Sequence, residues 1–575
     1  MKMYRKSVTR YLNVLSNFVV FILTILYVLK LYTLMKNYLL VILTLFIAAS
    51  IKAQEIVWER SYGGKHAEYL YDAIPTPDYG FLLAGSSISN KNGNKSESNR
   101  GDFDYWVWKM DEKGTPEWQK SFGGSGADLL QSVQLTSDGG FILGGSSSSN
   151  ISGDKKENSK GKEDFWIIKL DAKGGEIWQR TIGGSGQEKL LSIAQTMDGG
   201  YILGGTSSSN KTEPDEKGVE DKYGKSENSR GNLDYWVVKL DSKGEIKWQK
   251  TLGGIYVDEL KSIEQTKDKG YILGGYSNSP ISGDKTQDNF GLNDYWIIKL
   301  DEDGNELWQR TLGGDKDDNL FALSQTKDGG FIVGGNSNSG ATNTKSVTNK
   351  NGTDFWVLKL DKIGNIVWQE TYNYGKIDIL SSIVENADGT FLIGGYAQSE
   401  LIGVGQKMIP KTPKSEKEGI NDFIALKIKA NGEEIWTQTV GSKGDEVMRK
   451  LFETRDGGYI LAGTSKGQIS RDKQSNIGGS DFWIVKLKDK EKKDKEKYKI
   501  EAVPNPAISY TNVIVTYEYK DGTATLYDLN GRNLQSVKLT GERTIPINLS
   551  NYPQGIYIIE VKTDVSTDGV KVIKK

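Results

Sequence analysis

The 575-residue chain contains no cysteine. That absence removes disulfides, thiolate zinc sites and cysteine nucleophiles together, along with the acylated cysteine that a bacterial lipoprotein would need. Histidine is almost as scarce. His66 is the only one, set in a glycine-rich loop and read as solvated, which excludes multi-histidine metal sites and argues against a Ser-His-Asp triad. Charge of one sign is also missing: 74 basic residues balance 75 acidic ones, which gives no electrostatic case for nucleic acid. With 11 prolines against 67 glycines, neither a collagen nor a proline-rich disordered tract fits. What is present in quantity is tryptophan. Fourteen of them supply the large buried areas of a folded chain.

Two apolar runs open the sequence. The second, MKNYLLVILTLFIAASIKAQ from Met35, has a lysine, an apolar core and small residues ending at Ala53-Gln54. It reads as a secretory signal peptide over 35–53, cleaved between Ala53 and Gln54. The first run, NFVVFILTILYVL from Asn17, makes residues 1–34 either a gene-model extension or a membrane segment. The extension is favoured because a signal peptide starts at its own methionine, and two spans would leave the body on the side of the basic tail.

A ruler laid along the rest finds internal repeats. Trp58, Trp118, Trp178, Trp248, Trp308, Trp368 and Trp436 are each followed 27 positions later by the last glycine of a YILGG-like motif (Gly85 to Gly463). An Asp-aromatic step then follows at Asp104, Asp164, Asp234, Asp294, Asp354, Asp422 and Asp481, and from the first six the next tryptophan stands 14 residues on. All the length variation falls between YILGG and the Asp-aromatic step, 18 or 19 residues in five units but 29 in the third and 27 in the sixth. Insertions collect where loops can grow, whereas strand pairing fixes length elsewhere. Each unit reads as four short strands, exemplified by LLSIAQT, YILGG, DYWVVKLD and IKWQKTLGG, with Asp-Gly and Lys-Gly hairpin turns and no helical periodicity. Seven such units over 54–487 describe an all-β, seven-bladed β-propeller.

The YILGG step with its later tryptophan resembles the kelch pattern, and KLDSKGEIKW is similar to the LDxxTGKxxW step of quinoprotein-type propeller repeats. Both resemblances imply that DYWVVKLD and IKWQK are the outer strand pair, with LLSIAQT nearest the axis. Neither brings a quinone or copper site. In that order the chain begins with an outer strand, EIVWERSY, and ends its last unit at DFWIVKL, so the first strand is expected to complete the last blade.

From 488 to 499 a lysine-rich charged tract reads as a solvated linker. Residues 500–575 form a compact β-pattern, expected to be a small sandwich. Its landmarks, Pro504-Asn505-Pro506, then Asp528, Gly531 and Arg532, then Gly555 and Tyr557 with a lysine-rich end, resemble the type A carboxy-terminal sorting domain of type IX secretion cargo. Val503 departs from the aromatic common there. The resemblance implies the type IX machinery as a partner, export to the outer-membrane surface or beyond, and removal of the tail.

Candidate site residues follow from position. One acidic residue stands ten places after each strand tryptophan: Glu68, Asp128, Glu188, Asp258, Asp318, Asp378 and Glu446. Seven carboxylates at a channel mouth could attract cations or a basic ligand; the simpler reading is that they accept N–H groups of the preceding Gly-Gly turn. The run Thr136 to Gly140 also resembles the sialidase Asp-box, itself a structural turn. Catalysis needs unique residues in distinct roles, and no carboxylate pair separates itself from the repeat, so no catalytic residue, metal site or cofactor is assigned; calcium on the loop aspartates stays open. The features that break the repeat are the long loops Thr206–Leu233 and Tyr396–Asn421, the extra Trp108, the TYNYGK variant at Thr371–Lys376, and the loop aromatics Tyr223 and Tyr374, which can stack on sugars or anchor packing. The expected function is binding or adhesion to a glycan or surface protein, with a polysaccharide-cleaving glycoside hydrolase as the alternative.

Overall fold

A computed structural model describes residues 54–350, 352–398, 421–490, 492 and 499–575. The expected signal peptide, the preceding apolar run and most of the sixth loop lie outside the described residues, as does most of the charged tract. Among the described residues there is no helix, and so none long and apolar enough to cross a membrane.

The third unit shows how these residues make a sheet. Glu188–Gln195, Tyr201–Ser207, Asp234–Leu240 and Ile246–Leu252 pair antiparallel in that order. The first hairpin closes with the Gly200 carbonyl accepting from Thr196 N–H and with Gly199 at φ 82°, a conformation glycine adopts without steric cost. In the second hairpin Asp241 Oδ1 accepts from the N–H groups of Lys243 and Glu245 at 2.8 and 2.9 Å, an Asx-type cap. DYWVVKL is buried along its whole length and therefore reads as nearly continuous apolar sequence, whereas the outermost strand alternates.

The same arrangement recurs in sheets beginning at Glu68, Asp128, Asp258, Asp318 and Asp378. The seventh sheet differs. Glu446–Glu453, Tyr459–Ser465 and Asp481–Lys488 take Glu55–Tyr62, the first described strand, as their outermost member. Glu59 there accepts from Trp483 Nε1 at 2.7 Å, standing where Gln119, Gln179, Gln309 and Gln369 accept from the matching indoles. The innermost strands pack side by side in cyclic order, and the last of them touches the first. The architecture is therefore a propeller-like ring around an axis.

The core lies in the seams between sheets. Each seam joins apolar side chains of two neighbours, as Tyr235, Val237 and Leu252 join Leu260, Leu273 and Trp296. The aromatic after each Asp stacks on the tryptophan of the next sheet, with ring centroids 4.7–5.0 Å apart for Tyr105–Trp166, Phe165–Trp236, Tyr235–Trp296, Tyr295–Trp356, Phe423–Trp483 and Phe482–Trp106. Such pairs contribute roughly 0.5–1.5 kcal/mol beyond area burial. The sixth sheet has Ile424 in place of the tryptophan, and Tyr374 covers Phe355 there instead at 5.7 Å.

Residues 500–575 form a three-stranded and a four-stranded sheet around a core of their own, with Val513, Leu526, Ile559 and Val572 at its centre. This tail lies against the edge of the ring that carries the hairpin turns. Glu501 accepts from Arg455 at 2.6 Å and from the Tyr79 hydroxyl, and Arg543 pairs with Glu112 at 2.9 Å. The opposite edge, where the described loops between the second and third strands stand, carries none of these contacts.

Candidate functional site

The seven periodic carboxylates begin the innermost strands at the loop edge, and all are fully buried. Each accepts the backbone N–H four residues before it: Gly64 to Glu68 at 2.8 Å, Gly124 to Asp128 at 2.7, Gly184 to Glu188 at 2.8, Gly254 to Asp258 at 2.7, Gly314 to Asp318 at 2.7, Tyr374 to Asp378 at 2.7 and Ser442 to Glu446 at 3.0 Å. Serine hydroxyls complete the shell, as Ser207 does on Glu188 at 2.9 Å. Burial raises the pKa of Glu68, Asp128, Glu188, Asp258 and Asp318, with those hydrogen bonds opposing it.

The aspartates of the Asp-aromatic step sit beside them. Burial pushes Asp104 and Asp294 up to about 6 against their backbone N–H partners. The Oδ1 atoms of Asp104, Asp164, Asp234 and Asp294 find no hydrogen-bond donor among the described residues. They rest instead on Gly123, Gly183, Gly253 and Gly313, where a Cβ would come within 2.1, 1.9, 2.0 and 1.8 Å of them. The first glycine of Gly-Gly is therefore a close-approach position, where the missing side chain leaves room for the carboxylate oxygen. The TYNYGK variant keeps this logic by other means, since Asn373 Nδ2 donates to Asp354 Oδ1 at 2.7 Å.

A lysine that the sequence reading left in the permissive loop completes the belt. Lys95, Lys155, Lys225, Lys285 and Lys345 are buried, with Nζ donating to backbone carbonyls such as Ser209 O at 2.7 Å from Lys225. Burial pulls each down to about 8, and the carboxylates on either side oppose the shift. The second half of the loop is thus a fixed structure and only its first half varies. The signal was legible, because each of these lysines stands nine residues before its Asp-aromatic step even in the long third loop.

At the opposite edge every sheet carries an ion pair with a buried lysine that the sequence reading did not pair. The lysine of KLD meets the aspartate of DGG: Lys109–Asp78 at 2.9 Å, Lys169–Asp138 at 2.9, Lys239–Asp198 at 2.9, Lys299–Asp268 at 3.1, Lys359–Asp328 at 3.0, Lys427–Asp388 at 3.4, and Lys486–Asp456.

The loop aromatics are anchored. The Tyr223 hydroxyl donates to Glu245 at 3.1 Å with Arg180 over its ring at 5.5 Å, and the Tyr374 hydroxyl meets Thr437 at 3.2 Å. Trp108 is buried between Tyr62 and Trp106. Among the described residues no group of three acidic or histidine side chains is placed to hold a metal ion.

Symmetry breaks at the loop-edge mouth of the axis. One residue beyond YILGG, Ser86, Ser146, Asn336 and Thr464 each bridge to the next sheet by accepting from Leu130, Leu190, Leu380 and Leu70 N–H at 2.9–3.2 Å. In the fourth and sixth sheets that position holds the half-buried Tyr276 and Tyr396. Tyr276 donates to Glu259 at 2.6 Å. Lys261 pairs with the same carboxylate and lies over the Tyr276 and Phe321 rings at 5.4 and 5.5 Å. On the other side of the axis Arg449 lies over Tyr71 at 5.5 Å, and its charge acts on the Tyr396 phenol. Deeper in, Lys450 pairs with Asp72 at 3.3 Å. These residues were missed because the sequence reading sought what recurs; the signal was the aromatic exception in a column of small polar residues.

In the tail the motif residues hold turns and core. Asp528 Oδ1 accepts from the N–H groups of Asn530 and Arg532 at 3.0 and 2.9 Å, with Gly531 at φ 77°. Asn505, between Pro504 and Pro506, exchanges hydrogen bonds with Lys571 and Ile573 in the last strand. Tyr557, two residues after Gly555, is buried with its hydroxyl on Pro553 O at 2.6 Å. Gln54, beside the expected cleavage point, is itself buried and accepts from Lys490 N–H at 3.1 Å; Ala53 lies outside the described residues. Residues 501–575 match the secretion system C-terminal sorting domain family. The chain is type IX secretion cargo. The sorting domain directs it to the cell surface or the extracellular space.

The body has more distant likenesses. Regulatory protein FlaEY of Caulobacter vibrioides is 21% identical over 464 residues, covering 74% of this chain and 46% of that protein, so the chain spans less than half of that relative's length. Among solved structures, the Pan2 WD40 domain of Neurospora crassa aligns at a TM-score of 0.39 and 10% identity, covering 76% of this chain and 96% of its own. Puromycin hydrolase aligns at 0.39 and 10%, covering 86% and 59%.

Proposed function

We propose that the seven four-stranded sheets are the blades of a seven-bladed β-propeller with kelch-like and quinoprotein-like repeats, followed by a small C-terminal β-sandwich. The exported ring acts as a non-catalytic binding or adhesion module for a glycan or a surface protein, engaged at its loop edge. One observation carries this reading. The repeated carboxylates are buried and committed to turn N–H groups, whereas the axial mouth departs from the repeat with tyrosines and cations that stand outside the recurrent turn contacts. A site that abandons a structural hydrogen bond for a half-exposed ring is placed for a ligand. Screening the secreted protein on glycan and surface-protein arrays tests it. Reproducible capture of at least one ligand without release of reducing ends is expected. Release of reducing ends from a captured polysaccharide would make the protein a glycoside hydrolase instead, and silence on both arrays would leave it a passive envelope component.

A further inference from the structure

Resting on that binding reading, we propose that the loop-edge mouth of the axis is a subsite for a carboxylated sugar, a uronate-bearing glycan, with Arg449 on the carboxylate and Tyr276, Tyr396 and Tyr71 against the pyranose faces.

Three observations support the assignment. First, the two tyrosines occupy positions where other sheets use a small side chain to bridge a seam, so they replace the recurrent seam hydrogen bond with an aromatic ring. Second, Tyr276 is pre-oriented. The Glu259 carboxylate holds both the Tyr276 hydroxyl and Lys261, and burial together with that carboxylate keeps the phenol protonated far above neutral pH, so its one proton stays on Glu259 and the fixed phenol oxygen is left as an acceptor at the tip of a flat apolar ring. Third, charge at the mouth is not fully neutralised within it. Lys261 is paired, but Arg449 is exposed, lies over Tyr71 with its charge reaching the Tyr396 phenol, and among the described residues forms no ion pair with a carboxylate within 4.0 Å. Lys189, on the third innermost strand, adds a second exposed cation.

An exposed guanidinium recognises a carboxylate through two parallel N–H bonds, and flat rings with polar tips suit the C–H face and hydroxyl rim of a sugar. An extended acidic peptide fits less well. Peptides added to propellers or sheets pair with a free strand edge, and the innermost strands here are seamed to their neighbours by hydrogen bonds such as Val133 N–H on Asp72 at 3.0 Å and Gln325 N–H on Glu264 at 3.0 Å.

The test is calorimetric titration of the full secreted chain with oligogalacturonate, alginate and hyaluronan oligosaccharides, with the methyl-esterified oligogalacturonate as the uncharged control, and with a poly-glutamate peptide. At least one uronate oligomer is expected to bind, its methyl ester at least tenfold more weakly. Arg449→Gln should weaken binding tenfold or more, and Tyr276→Ser, which restores the residue of the first two sheets and so should keep the melting temperature, should weaken it similarly. Equal affinity for ester and acid, preference for the peptide, or indifference to both variants would overturn the assignment. Failure of every uronate probe while the arrays still report a ligand would refute this subsite and leave the binding module standing. Failure of all probes and silent arrays would remove both.

Discussion

At the scale of single residues, the repeat is held by charges that composition alone hides. Lys239 is buried while its partner Asp198 is largely exposed, so the two ends of the pair are not equivalent. Removing the acid by Asp198→Ala strands a buried ammonium on the Leu240 carbonyl and is expected to cost about 3 kcal/mol. Removing the base by Lys239→Met leaves a solvated carboxylate still bonded by Thr196 and Gly200 and should cost about 1 kcal/mol. Urea unfolding of the two variants measures the order, and a reversed order would show that solvation does not set the asymmetry. The glycines give a second residue-level case. Gly253→Ala places a Cβ on Asp234 Oδ1 and is expected to cost ~1–3 kcal/mol. Gly253→Asn should cost less, because its amide can donate to that oxygen as Asn373 does to Asp354. Equal losses in denaturant titrations would mean the donor is irrelevant.

At the scale of elements, the ring is closed by an exchange between the two ends of the body. Glu55–Tyr62 covers the edge of Asp481–Lys488, and Glu59 reaches across it to Trp483. A chain lacking residues 54–62 should expose that edge as a template for intermolecular pairing. Its melting temperature is expected to fall by roughly 5 °C or more, with concentration-dependent association in sedimentation, and a synthetic peptide of the missing strand should restore part of the loss. Unchanged melting and a monomeric profile would mean that the strand adds nothing to closure. The sixth sheet shows a different element-level repair, in which the loss of the seam tryptophan at Ile424 is met by Tyr374 from the preceding turn.

At the scale of the whole molecule, two sets of carboxylates set opposite pH limits. Asp104 and Asp294 are lifted by burial from 3.8 to about 6. They are easier to protonate in the folded ring, so their contribution is complete below about pH 4 and is lost as the pH rises through 6. For Asp198 and Asp328 burial acts in the same upward direction, but the threonine hydroxyl, the lysine and the glycine N–H outweigh it and hold them at about 2. Their contribution is complete above about pH 4 and is lost as the pH falls through 2. Both sets are intact together only near about pH 4, where their summed contribution to the melting temperature of the ring should peak. Calorimetry from about pH 2 to 8 tests this, and a maximum at or above about pH 7 would contradict it. The same scale separates the two faces, with the sorting tail on the turn edge and the axial mouth on the other.

Much of this was written in the one-dimensional pattern. Strand alternation, Asp-Gly turns and an invariant spacing of tryptophans are local consequences of backbone geometry, so they fixed the four-stranded units and their order, and the tail's turn motif marked its destination. The exchange of the first strand into the last sheet was also legible, because a repeat that starts on its outer strand must end without one. What local pattern could not carry were the meetings between units. Which of two recurrent aspartates faces a lysine, which glycine lies under a carboxylate and which bulge residue reaches the axis all depend on seams formed by residues sixty or more positions apart. The mouth of the axis is the extreme case. Tyr71, Tyr276, Tyr396 and Arg449 are scattered over almost four hundred residues, and only closing the ring brings them to one rim.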